Sequence, residues 1–166
     1  MVTVTIEEVR ELIVTPPTVH TFRADGLGLR NAETNFWADS SPLEASETML
    51  GQAVTIRATP IRYFWDYGDG TPTRTTMVPG YELSEFDVQT PTSHVYKETG
   101  TYDVRLSTVY AAQFQVAGGP WQFIPGTITL ESEPVVADIW RLETRNVAED
   151  CIENPAGWGC SGFIED

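Results

Sequence analysis

The side chains with reactive potential are few: two cysteines, Cys151 and Cys160, two histidines, His20 and His94, and 24 carboxylates set against 10 basic residues. Paired carboxylates, or a histidine beside one, do acid–base work only where a motif holds them within hydrogen-bond reach of the reacting group. None of the acids sits in such a motif. The chain has no Gly-x-Ser-x-Gly elbow, no His-Glu-x-x-His pair and no phosphate-cradling glycine loop. Catalysis is therefore not expected, and no catalytic residue is assigned. The two cysteines have eight residues between them, with Asn154-Pro155 and Gly157 available to reverse the chain. They could close a disulfide or remain free thiols. As a zinc site they are two ligands short.

The acids and bases leave a formal charge of −14, an excess spread along the whole chain. Such a surface repels nucleic-acid backbones and anionic headgroups, so neither nucleic-acid binding nor membrane insertion is expected. Solubility is the plain reading of the charge, and attraction of cations or of a basic partner is the sharper one. No apolar run reaches the roughly 18 residues of a membrane span. The opening Met1-Val2-Thr3-Val4-Thr5-Ile6-Glu7-Glu8 lacks the basic start and apolar stretch of a signal peptide. A mature fragment, or a protein that does not use that export route, is the expectation.

The elements that must position these residues can be read from periodicity. Ile6, Val9 and Ile13 recur at helical spacing behind acids, which predicts a short helix over 6–14, ended by Pro16-Pro17. Val19-His20-Thr21-Phe22 and Thr34-Asn35-Phe36-Trp37 look like short strands between turn-rich segments. From Gly51 the alternation is cleaner: Val54, Ile56 and Ala58 point one way, Thr55, Arg57 and Thr59 the other. Residues 102–116 alternate for most of their length, Ala117-Gly118-Gly119-Pro120 turns the chain, and strands follow over 121–131 and within 134–147. Many short strands with close turns and almost no helix predict a β-sandwich. Three segments result: an N-terminal extension over 1–50, a sandwich over 51–133, and a C-terminal strand and tail over 134–166.

Residues 63–70 read Tyr-Phe-Trp-Asp-Tyr-Gly-Asp-Gly, and residues 94–106 read His-Val-Tyr-Lys-Glu-Thr-Gly-Thr-Tyr-Asp-Val-Arg-Leu. Together they closely resemble the two halves of the PKD domain signature. That pattern is Trp-Asp-aromatic-Gly-Asp-Gly, then His-x-Tyr and Gly-x-Tyr-x-Val-x-Leu. The resemblance implies an all-β, PKD/immunoglobulin-like sandwich, here with a long extended hairpin from Val109 to Leu130, an N-terminal extension with one short helix, and a Cys-closed C-terminal tail. The residues agree with it. Trp65 belongs between the sheets, Gly68 and Gly70 permit a turn at positive φ, and Asp66 and Asp69 suit bonds to nearby backbone amides. Gly100 marks a turn into a central strand. Tyr96 and Tyr102 can pack inward with their hydroxyls on backbone groups, and His94 is expected to be a packed, hydrogen-bonded core residue.

The family resemblance further implies an extracellular or cell-surface site of action, and contact with a protein or glycan of the cell envelope. The segment from Asp150 to Cys160 resembles the tail of small exported bacterial proteins with a single PKD domain, where a Cys pair closes the turn. A Cys151–Cys160 disulfide is accordingly expected. Some PKD domains bind calcium, for which Asp66, Asp69, Glu82, Glu85 and Asp87 are weak candidate ligands; no other cofactor is expected. Tyr110, Phe114, Trp121 and Phe123, on or beside the long hairpin, are the candidate binding surface. The competing expectation is that the first fifty residues, with Phe22, Phe36 and Trp37, fold over them. An alternative role is a structural or decoration subunit of a virion or surface appendage. Open sheet edges would permit a homo-oligomer or assembly contact.

Overall fold

Helix formation at the N-terminus is set by a capping box. Thr5 Oγ1 accepts from the Glu8 N–H, and the Glu8 carboxylate accepts from the Thr5 N–H at 2.8 Å. The computed structural model describes residues 2–141, and in it α1 spans Ile6–Leu12. The strands are β1 Val19–Thr21, β2 Leu27–Leu29, β3 Glu33–Thr34, β4 Phe36–Ala38, β5 Leu43–Met49, β6 Gln52–Asp66, β7 Arg74–Thr76, β8 His94–Val95, β9 Gly100–Val116, β10 Gln122–Glu131 and β11 Val135–Trp140.

The antiparallel pair β6–β9 forms a spine, in register from Val54↔Val116 to Asp66↔Arg105. In its upper half, β5 flanks β6 and β10 flanks β9. In its lower half, β7 flanks β6, while β11 flanks β9 and carries β2 in parallel beside it. Two small antiparallel ribbons, β1–β4 and β3–β8, complete the fold.

The inward residues of β6 change from even (Val54, Ile56, Ala58) to odd (Tyr63, Trp65). In an uninterrupted strand that change would turn one set away from the core. The register steps from Pro60↔Tyr110 to Arg62↔Val109, so Ile61 is an extra residue and the two sets share one face. Pro60, which has no N–H to offer a ladder, sits at this bulge.

One face of the spine therefore carries two cores. In the lower one, Tyr63, Trp65, Val104, Leu106, Ala137 and Ile139 of the main sheet pack with Val19, Phe36 and Ala38 of the β1–β4 ribbon, the second layer of the sandwich. In the upper one, Val54, Ile56, Ala58, Tyr110, Phe114, Ile124 and Ile128 lie beneath Val2, Val4, Val9 and Ile13. The helix thus replaces a second sheet there. Arg10 donates to the Thr127 carbonyl at 3.3 Å, which ties α1 to β10. No helix among the described residues is long and apolar enough to cross a membrane.

Candidate functional site

The turn after β6 places the signature residues. Gly68 and Gly70 adopt φ of +83° and +85°. A Cβ on Gly68 would also lie 2.3 Å from the Asp103 carbonyl oxygen, so glycine is required twice over. Asp66 Oδ1 accepts from the Gly68 N–H at 3.0 Å, and Asp69 Oδ1 accepts from the Thr71 N–H and hydroxyl at 3.2 and 2.6 Å. The other Asp69 oxygen lies 2.7 Å from His94 Nε2. Burial opposes ionisation of Asp69, yet the hydrogen bonds from His94 and Thr71 outweigh it and hold the carboxyl below its usual range. An ionised carboxylate only accepts, so Nε2 of His94 carries the proton.

The His94 ring stacks on Tyr67 at 4.3 Å and meets Tyr96 edge-on at 4.7 Å. Tyr96 Oη donates to the Tyr67 carbonyl and Tyr102 Oη to the Glu98 carbonyl, both at 2.8 Å. Trp65 Nε1 donates to Thr76 Oγ1 at 3.2 Å, and Gly100 opens β9 at φ +147°. Burial pushes the Tyr67 and Tyr96 phenols well up, so both stay neutral. The His94–Asp69 pair is nearly closed to solvent, at 9% and 12% side-chain exposure, and acts as a brace.

The calcium candidates are not gathered. Asp66 and Asp69 are committed to their own turn, and Asp87 accepts from the Glu33 N–H at 2.7 Å. Glu82 and Glu85 are exposed on the loop after β7. Among the described residues, no group of three His, Cys, Asp or Glu side chains is placed to hold a metal ion. Cys151 and Cys160 lie outside the described residues.

The predicted aromatic surface divides in two. Tyr110 and Phe114 are buried in the upper core beneath α1, so neither lies on the surface, and burial pushes the Tyr110 phenol up to about 12. The expectation that N-terminal residues cover hairpin aromatics holds for these two. The cover comes from residues 2–13, while Phe36 joins the lower core. Trp121 and Phe123 lie on the opposite, outer face. Residues directly paired across antiparallel strands share a face. The pairs Phe123↔Gln113, Gln113↔Arg57 and Arg57↔Glu44 therefore form one row across β10, β9, β6 and β5. The Trp121 ring covers the Arg57 guanidinium at 3.9 Å, and Arg57 Nε donates to Glu44 at 3.3 Å. Phe123 is 78% exposed. The next row, Ser46–Thr55–Gln115, is polar, so the face sets two aromatics beside amide, guanidinium, carboxylate and hydroxyl groups.

Of the four predicted surface aromatics, Trp121 and Phe123 face outward, and the register sets Arg57, Gln113 and Glu44 beside them, which the sequence alone did not indicate. Nor did it indicate a groove of about 590 Å³ where the β1–β4 ribbon meets the start of β11. His20 and Trp37, opposite each other in that ribbon, stack at 5.4 Å, and His20 Nε2 lies 2.8 Å from Asp39.

Comparison with protein-family models matches residues 32–112 to the PKD domain. No curated protein and no solved structure gives a significant match to the chain.

Proposed function

Since this chain carries a PKD domain over residues 32–112, we propose that it is a non-catalytic contact protein whose outer sheet face binds an extended glycan of the cell envelope. PKD domains are a non-catalytic Ig-like family, serving in general in extracellular contact with proteins or carbohydrates. The observation that carries the glycan reading is the Phe123–Gln113–Arg57–Glu44 row with Trp121 laid over Arg57. Sugar rings present apolar C–H faces that stack on flat aromatics, and their hydroxyls bond in-plane amides, guanidinium and carboxylate groups. Paired strands set the spacing of these groups before a ligand arrives, which limits the ordering cost of binding.

The test is binding of the full chain to an array of cell-envelope polysaccharides, followed by affinity electrophoresis on any hit. Trp121→Ala and Phe123→Ala should each weaken binding about tenfold, the scale of one stacking contact. Thermal stability should change little, because Phe123 is exposed and Trp121 lies outside both cores. Retained affinity in the double variant would move the site elsewhere, and absence of any glycan hit would end the reading.

A further inference from the structure

The groove beside the β1–β4 ribbon is separate from the Trp121–Phe123 face and has its own chemistry. Trp37 and Phe22 bring aromatic surface to its lining, Val136 an apolar side chain that is 49% exposed, and Asp25 and Glu82 carboxylates. Thr21 Oγ1 donates to the Arg23 carbonyl, fixing the bend between β1 and β2 that carries Phe22 and Asp25. The hydrogen bonds from Arg23 and from the Leu27 N–H hold the Asp25 carboxyl at about 2, so it stays ionised. Asp25 is already paired with Arg23 at 2.9 Å, which offsets its charge and leaves Glu82 as the uncompensated carboxylate of the lining. Glu82 has no ion-pair partner among the described residues. The local charge is left negative within a chain of net −14.

We infer that this groove receives a lysine or arginine side chain from an exposed segment of a basic partner protein. The fit follows the anatomy of such a side chain. Its methylene stem lies on apolar surface while the charged head seeks aromatic faces and carboxylates. Val136 and Phe22 match the stem, while Trp37 and Glu82 match the head. The charge of the whole chain draws such a partner in. The site goes beyond the glycan reading and stands if that reading fails.

The experiment is an NMR titration of the ¹⁵N-labelled full chain with the peptide Ac-Gly-Arg-Gly-Arg-Gly-NH₂, its Gln-for-Arg counterpart serving as the neutral control. The expected result is saturable shifts at the Trp37 indole N–H, His20 and Val136 that the neutral peptide does not produce and that added salt reduces. Glu82→Gln, on an exposed loop, should leave the spectrum folded and weaken the basic peptide about fivefold, the scale of one exposed charge pair. Equal shifts with both peptides, undiminished binding by Glu82→Gln, or shifts scattered over the acidic surface without the groove would each overturn the inference.

Discussion

Replacing Asp69 by alanine removes the acceptor of three hydrogen bonds and strands a histidine that is almost fully buried. A buried donor left without a partner costs about 1–3 kcal/mol. The two bonds to Thr71, an exposed residue that water can re-solvate, add about 0.5–1 kcal/mol. The expected loss at neutral pH is about 3 kcal/mol, a fall in Tm of roughly 6–12 °C for a folded unit of this size. Asp69→Asn keeps an oxygen for Thr71 and an amide that can donate to the other His94 tautomer, so it should cost about 1 kcal/mol. The sign with pH follows from the depressed carboxyl. Its contribution is complete above the ordinary Asp value of about 3.9 and is lost as pH falls through the folded value. Urea titrations followed by circular dichroism, from neutral pH to about pH 3, should therefore show the wild-type advantage over Asp69→Ala shrinking only below about pH 4. A neutral-pH loss under about 0.5 kcal/mol would mean that the ring stack alone holds the turn and that the pair braces nothing.

Two backbone positions should respond in opposite directions. Leu50 and Gly51 link β5 to β6 at φ +51° and +75°, and Leu50→Gly should raise stability by about 1 kcal/mol in denaturant titrations. Gly68→Ala should lower it by more than about 2 kcal/mol, because the new methyl meets the Asp103 carbonyl. Val9→Ala, at the centre of the helical cover, should cost about 2 kcal/mol. Amide exchange should then quicken in β10 and the upper half of β9 more than around Trp65.

The signature turn was legible because its chemistry is local. Glycines at positive φ, aspartates that cap amides two residues on, and a tryptophan shortly before the first glycine need no knowledge of distant chain. The alternation in residues 54–58 and 102–116 likewise reported two-faced strands. It could not report which face is covered. Tyr110 and Trp121 are aromatic residues of one hairpin, yet the helix lies over Tyr110 while Trp121 faces outward. That choice is made by α1, whose apolar stripe is visible in sequence while its docking place is not. The His20–Trp37 stack escaped for the same reason. It joins residues 17 positions apart through a ribbon only three pairs long.

The parallel pairing of β2 with β11 has a mechanical consequence. Leu27, Gly28 and Leu29 run alongside Asp138, Ile139 and Trp140 in the same direction. A tension that pulls β2 from its N-terminal end and β11 from its C-terminal end drags the two strands past each other lengthwise. Their hydrogen bonds then bear the load together in shear, where an antiparallel hairpin pulled open from its end would yield one rung at a time. Under such a load the seam is held by side-by-side bonds that must break at once.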